Sequence, residues 1–522
     1  MDAASTLQPT VALTRRSWRV TPLTLGAGLT LLALALRLVD LGTRPLWLDE
    51  AFSAWFSDRS FQYLWHVLPT YEAHPPFYYS VLKLWRMAVG EGHAAMRGLS
   101  VLFGTLTVPL IMAIAVEQER HEPTGQPLFR AGLAGFLAAC SPMFMVIGQE
   151  ARPYPMLAFA YGLAILALLR LTREFRAGEA GRWRSWLFLG MAADLTLWSH
   201  ALGFLYGACL ALALLPLWLT APVTRARLAR GLVTASCVAL VYAPCLLMMS
   251  GRAQDWSTNW LEWQPSMLLQ LLVLYTVPVE ALTVGSAVAA LAMALLIKRA
   301  LATTWVSKGW NSDRAILLLW LGPPLLAALI SATFMPVFLA RTLSATLVPA
   351  YVAIATAIAR GKSPVERRIL TAAIVITLLP TALMLGLRQP TERWDLLSSY
   401  LSANVKPADQ VWLYPTDSAL PLAQAGYPIA GNVREIPERF PTLKAKGPIR
   451  AGWPAVVSVT ADQANALARD HALAEVPVVW LVTRQAGIFD PDNDMPKALA
   501  DVRRPGPVQQ WSYVAVQPFY RR

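Results

Sequence analysis

Residues Arg44 to Asp58, RPLWLDEAFSAWFSD, follow at once on an apolar run from about Val20 to Val39. Two adjacent carboxylates, Asp49 and Glu50, sit there among Trp47, Leu48, Phe52, Trp55 and Phe56. A run of that length crosses a hydrocarbon core of about 30 Å. It is too long for a cleaved leader and lacks a small-residue cleavage signal, so it reads as a retained transmembrane helix. Acids at membrane depth are costly and mark function by default. The pair at the mouth of the first span therefore sets the reading of the whole chain.

The 522 residues are 56% hydrophobic and 15% charged, with a mean hydropathy of +0.43. Soluble domains are about 45–50% apolar and about 25% charged, so the composition is that of a membrane protein. The net charge of +13 does not point to nucleic acid. Its basic residues cluster in short connections: Arg15, Arg16 and Arg19; Arg120 and Arg130; Arg173, Arg176, Arg182 and Arg184; Arg225, Arg227 and Arg230; Lys298, Arg299, Lys308 and Arg314; Arg360, Lys362, Arg367 and Arg368. Alternate connections are poorer in Lys and Arg, the pattern the positive-inside rule produces.

Taking those six clusters as cytoplasmic yields about eleven spans, near 20–40, 97–116, 131–148, 155–171, 185–199, 201–220, 231–249, 277–297, 315–333, 342–359 and 369–387. The N-terminus is then inside. The expected organisation is an all-α polytopic domain over 1–387, with a first external loop at 41–96, and an external soluble α/β domain over 388–522. The cysteines, Cys140, Cys209, Cys237 and Cys245, lie in or beside apolar segments without metal-ligand spacing and read as small core residues.

Within the first loop, stretches 49–68 and 75–89 read as helices. In the second, Pro75 and Pro76 suit a helix start, and Phe77, Val81, Leu84, Trp85 and Ala88 form an apolar stripe that leaves out Lys83 and Arg86. That pattern fits a helix lying in the membrane interface. A second external segment, 250–266, is rich in Trp and polar residues. In the tail, QVWLYP, AVVSV, PVVWLVT and SYVAV read as strands and TADQANALARDHAL as a helix.

Further ionisable or polar groups fall on the same expected side: His74 in EAHPPFYY, Glu150 and Arg152 in GQEARPYP, His200 in LWSHALGF and Arg341 in PVFLARTLSATLVP. Each has a plainer use. Asp49 could cap a helix and Glu50 favour its first turn. His74 could be satisfied by backbone at a helix start, and His200 be a buried structural residue. Arg152 and Arg341 could snorkel to headgroups, and Glu150 could simply pair with Arg152. Their shared side is what groups them.

The motifs LWLDEAFSAW, HPPFYYSVLKLW, GEGHAAMR, SPMFMVIGQEARPYPMLAF, WSHALGF and ARTLSATLVP, in that order over about residues 20–360, resemble those of bacterial family 39 glycosyltransferase-like membrane proteins. These belong to the GT-C superfamily, with the protein O-mannosyltransferases and the lipid A aminoarabinose transferase. The resemblance implies the GT-C fold and transfer of a sugar from a polyprenyl-phosphate-linked donor to a glycan, lipid or protein acceptor at the outer face of a bacterial inner membrane, with inversion. It implies that Asp49 or Glu50 is the general base, with Asp49 preferred and Glu50 positioning the acceptor or a cation. An apolar surround should then raise the carboxylate's pKa toward a useful value. Arg341 first and Arg152 second would bind the leaving phosphate, since Arg reaches two oxygens in a fork. His74 and His200 would add donors, Glu150 would orient Arg152 or contact the acceptor, and Tyr154 would stack on sugar.

Two departures stand out. Thr342 follows Arg341 where related sequences often carry Tyr, and no Lys accompanies the Pro75–Pro76 pair. No convincing metal-ligand set is evident; a divalent cation, if used, would be gathered by Asp49, Glu50 and His74. The rival classes are a transporter or flippase of lipid-linked sugars and a non-catalytic binder of them. Transporters favour internal repeats and broken mid-membrane helices, and the sequence shows neither.

Overall fold

The structure, a computed structural model, describes residues 21–70, 72, 74–220, 225–250, 263–271, 284–305, 310–361, 363–437 and 459–522. The basic cluster at Arg15, Arg16 and Arg19, Lys308 and Lys362, most of the segment 250–266, the start of the expected span 277–297 and nearly all of AVVSV lie outside the described residues.

The chain opens with α1 (Pro22–Leu38), whose Thr21 and Thr24 cap each other across the first turn. Two helices follow in the long loop, α2 (Leu48–Ser57) and α3 (Pro76–Val89). The bundle continues with α4 (His93–His121), α5 (Pro127–Ala139), α6 (Pro142–Gly148), α7 (Tyr154–Arg176), α8 (Trp183–Ser199), α9 (Gly203–Thr220) and α10 (Arg225–Ser250). It ends with α11 (Val284–Trp305), α12 (Ser312–Thr333), α13 (Leu347–Ala359), entered through a 3-10 turn at Ala340–Thr346, and α14 (Pro364–Gly386).

Among the described residues six helices are long and apolar enough to cross a membrane, or seven if the pair α5 and α6, bent by 51°, is one span. The eleven expected segments fall on helical elements wherever they are described, but α1 and α8 reach only 17 residues each. The bend has a local cause. Pro142 cannot donate to the preceding turn and Ser141 restarts the helix by accepting the Phe144 N–H, which strips Ala138 and Ala139 of helical partners. Arg37, fully buried, donates to both freed carbonyls at 3.4 and 3.3 Å. It fits because Gly104 and Gly148 flank it: a Cβ on Gly148 would stand 2.9 Å from its Nε.

The expected helix 49–68 is broken. Helix α2 stops at Ser57, and Ser60 accepts the Tyr63 N–H to start a second turn that runs into short π and 3-10 segments at Tyr63–Thr70. In α3 the face packed on the protein carries Tyr78, Tyr79, Leu82 and Arg86, while Leu84 and Met87 of the apolar side are exposed. Arg86, off the expected stripe, is buried and donates to Ala54 O (3.0 Å) and Ser57 Oγ (2.6 Å), tying α3 to the end of α2.

After α14 come α15 (Trp394–Asn404), β1 (Gln410–Tyr414), α16 (Ala419–Gln424), β2 (Asn432–Glu435), α17 (Ala461–Ala468), β3 (Val478–Arg484), α18 (Ala486–Phe489), α19 (Asp494–Val502), β4 (Arg504–Pro505), β5 (Gln509–Trp511) and β6 (Val514–Tyr520). The sheet order is β2-β1-β3-β6-β4, with β5 on β6; β1 pairs in parallel with β2 and β3, and β3 is antiparallel to β6. This is the α/β arrangement expected of the tail. Trp412 and Leu481 face one core and Val411 and Val482 the other, so both faces of the central strands are covered.

Candidate active site

Helix α2 begins at an N-cap, Trp47, whose side chain accepts nothing. The Leu48 N–H is taken instead by Glu392 Oε2, 3.1 Å away and 344 residues on. Asp49 is thus inside the first turn and is not the cap, which removes the plain helix-capping use of its carboxylate.

Asp49 lies between two arginines. Arg341 NH2 is 3.2 Å from its Oδ2 and Arg152 NH2 is 3.7 Å away; Arg152 also donates to the Asp49 carbonyl at 3.3 Å. Arg341 is pinned over the Trp47 ring, 5.2 Å from its centroid, and Arg152 stands 5.9 Å from the centre of Tyr154. Burial alone would raise the Asp49 pKa, but Arg152 and Arg341, then His74 and Arg484, outweigh it and hold the carboxyl below its ordinary value. The sequence reading expected the opposite direction from the apolar neighbours; burial is the largest single effect and does push upward, but the positive groups together exceed it.

Glu50 points elsewhere and is fully buried. Arg97 grips it in a fork, Nε to Oε1 at 2.8 Å and NH2 to Oε2 at 2.6 Å, and the Ala151 N–H adds a third bond at 2.9 Å. The same guanidinium donates to the carbonyls of Leu41, Arg44 and Pro45 at 2.8, 2.9 and 3.0 Å. Both carboxylate oxygens are committed, so the expected contact of Glu50 with acceptor or cation is not available in this arrangement.

His74 and His200 meet. Their Nε2 atoms are 3.2 Å apart, His200 Nδ1 accepts the Leu202 N–H at 3.0 Å, and His74 Nδ1 is 2.7 Å from Glu72 Oε1. One tautomer assignment satisfies every bond: His200 Nε2–H donates to His74 Nε2, and His74 Nδ1–H donates to Glu72. Burial first, then His74, Arg152 and Arg341, keep His200 well below its ordinary pKa and neutral. The pair is therefore more than helix-start packing for His74.

Glu150 does not pair with Arg152; its carboxylate faces Arg388 at 3.9 Å. Burial, opposed by Arg388 and assisted by Glu50, pushes its pKa up to about 7. Tyr154 is almost fully buried, its ring 5.5 Å from that of His200, which leaves no open face for the expected sugar stacking. Thr342 turns its hydroxyl back onto Leu339 O at 2.7 Å and does not join the cluster. Asp49, Glu50 and His74 do not converge on a cation, and among the described residues no group of three or more His, Cys, Asp or Glu is placed to hold a metal ion.

Arg97, Glu72, Arg388, Glu392, Asp417 and Arg484 were missed in the sequence. Arg97 and Glu72 sit inside quoted motifs, each a charge beside an apolar run, which was the available signal. The other four, Arg388, Glu392, Asp417 and Arg484, gave none. A groove of about 560 Å³ at Gln126, Phe129, Arg367 and Ile376 lies at the far end of α14 from Arg388 and belongs to another part of the bundle.

No family model matches the chain, and no curated protein matches its sequence. Solved structures do. ArnT from Cupriavidus metallidurans bound to undecaprenyl phosphate superposes with a TM-score of 0.59 at 15% identity, covering 94% of this chain and 97% of that one. The apo state of the same protein superposes at 0.58 and 14%. The oligosaccharyltransferase AglB from Archaeoglobus fulgidus, in complex with an inhibitory peptide and a dolichol-phosphate, superposes at 0.55 and 12%, covering 91% and 72%. At these identities the likeness shows the fold alone, which this chain shares with those proteins.

Proposed function

We propose that this chain with the GT-C fold is an inverting glycosyltransferase that moves a sugar from a polyprenyl-phosphate-linked donor to an acceptor hydroxyl, with Asp49 as general base. The observation that carries the reading is the seating of Asp49 between Arg341 and Arg152. Two converging arginines beside one carboxylate are what a phosphate leaving group and a base require side by side. That two structural neighbours hold undecaprenyl phosphate and dolichol-phosphate supports a phosphate-linked lipid as donor.

From the seating of Asp49 we infer an order of events. With no donor present, Asp49 neutralises the arginines and is a weak base. A donor phosphate competes for the same guanidinium groups, relieves the charge on Asp49 and raises its pKa. Asp49 then takes the acceptor hydroxyl's proton as the oxygen bonds to the anomeric carbon. The bond from that carbon to the phosphate oxygen breaks, and the lipid phosphate leaves into the Arg341 and Arg152 forks. Glu50 is reassigned from acceptor contact to anchoring: through Arg97 it ties the Leu41–Pro45 segment to α2. His74 and His200 spend their ring N–H groups on Glu72 and on each other, so they brace the site and offer no free donor to the phosphate in this arrangement.

This order is tested by pH profiles. The acid limb of kcat/KM, which reports the free protein, is expected below the ordinary carboxylate range, and the acid limb of kcat, which reports the donor complex, at higher pH. A Glu150→Gln background removes the group held near 7. Coincident limbs would contradict the competition.

The reading places the site, the loop at 41–96 and the domain at 388–522 on the external face of a bacterial inner membrane, above about eleven spans. A reporter fused near residue 390 should be active only outside the cytoplasm. Cytoplasmic activity would put the site on the wrong side. Of the features transporters use, the described residues show the bend between α5 and α6, and there the freed carbonyls are taken by Arg37 rather than left to a substrate or ion.

A further inference from the structure

The C-terminal sheet meets the membrane domain at one edge. Strand β1 is followed in the chain by β2 on one side and, later, by β3 on the other, so the carboxyl ends of β1 and β3 flank a topological switch point. In open α/β sheets that crevice is where ligands bind. Here the charged groups at it are Asp417, just after β1, and Arg484, the last residue of β3; their oxygens and NH2 stand 3.2 and 3.4 Å apart, almost fully buried. Arg484 NH1 reaches on to Glu392 Oε1 at 3.5 Å. The other oxygen of Glu392 accepts from the Trp394 indole at 2.7 Å and from the Leu48 N–H at 3.1 Å. Beside this chain of contacts, Leu420 of α16 is buried in one apolar cluster with Leu48, Phe52, Trp55 and Phe56 of α2. The crevice is filled from within the same chain, by the start of α2.

We infer that Glu392 is a positioning residue: it supplies the N-terminal cap that α2 lacks, and the carboxyl edge of the C-terminal sheet, through Arg484 and Asp417, holds it there and so fixes the direction in which Asp49 points. The inference rests on the reading of Asp49 as the base and deepens it by giving the C-terminal domain a task. A carboxylate accepting a first-turn N–H is the usual cap chemistry and also complements the helix dipole. An acceptor supplied from 344 residues away makes the order of that turn depend on the docking of a separate domain.

The test uses the full chain in lipid nanodiscs, with hydrogen exchange over residues 46–57, turnover, and affinity for undecaprenyl phosphate. Glu392→Ala is expected to raise exchange in that segment by about tenfold, as loss of a cap does, and to lower kcat by a similar factor. Affinity for undecaprenyl phosphate and exchange in α4 and α7 should stay within about twofold of the wild type. Glu392→Gln keeps an oxygen for the Leu48 N–H and should restore exchange and kcat to within about threefold. Should Glu392→Ala not fold, Arg484→Gln, which loosens Glu392 from the sheet, should raise exchange over 46–57 above that of the wild type. Wild-type exchange over 46–57 in Glu392→Ala and Arg484→Gln overturns the inference, as does Glu392→Gln behaving like Glu392→Ala. The exchange result is independent of chemistry: if Asp49→Asn transferred sugar normally the base assignment would fall, and the cap would still be read directly.

Discussion

Asp49→Asn should abolish most sugar transfer, by 10²–10⁴-fold, about what a positioned general base contributes, while the protein still folds. The structure sharpens that expectation in two ways. Asp49 caps nothing, since the Leu48 N–H belongs to Glu392, so the helix should be indifferent to the change. Asparagine also removes the negative charge that Arg341 and Arg152 now share. Affinity for undecaprenyl phosphate should therefore rise, even as turnover falls. A purely structural Asp49, serving only to neutralise the two arginines, predicts the same tighter binding with turnover kept. Equilibrium binding and single-turnover transfer on one preparation separate the two.

Glu50→Gln should fail in a different manner. The Glu50–Arg97 pair is sealed from solvent and bidentate, and removing one partner of a buried pair costs about 3–5 kcal/mol because the other charge is left uncompensated. Arg97 also holds three carbonyls of the segment leading into α2, so the loss should spread to Leu41–Pro45. A large drop in thermal midpoint is expected, with Arg97→Gln costing a similar amount and the double variant less than the sum. If Glu50 instead met the acceptor, Glu50→Gln would melt like the wild type and show only a raised acceptor KM. Thermal unfolding followed by tryptophan emission distinguishes these outcomes.

Much of the bundle was legible because apolar runs and alternating basic loops are local, one-dimensional signals. The strands QVWLYP and PVVWLVT and the helix in TADQANALARDHAL were legible for the same reason, each being fixed by near neighbours. The break of 49–68 after Ser57 was signalled by the polar run Ser57-Asp58-Arg59-Ser60 between two aromatic and apolar stretches, whose last residue caps the second turn. At the site, the acids and arginines were found by type and side, and Asp49, Arg152 and Arg341 do gather. Their partnerships were not legible. Two adjacent carboxylates look alike in sequence, yet a helix turns successive side chains about 100° apart, sending Asp49 to the arginine pair and Glu50 to Arg97. The direction of the Asp49 pKa depended on guanidinium groups 103 and 292 positions away. Glu392, Asp417 and Arg484 reach α2 only through the docking of a domain whose sequence carries no functional pattern.

The central claim is that Asp49 serves glycosyl transfer, and the most direct measurement is intact-glycan and lipid mass spectrometry on the envelope of cells lacking the gene, complemented with wild type or with Asp49→Asn. The account predicts that a species heavier by one sugar residue disappears on deletion, returns with the wild type and stays absent with Asp49→Asn at equal protein level. Its return with Asp49→Asn, or an envelope unchanged by deletion, would contradict it.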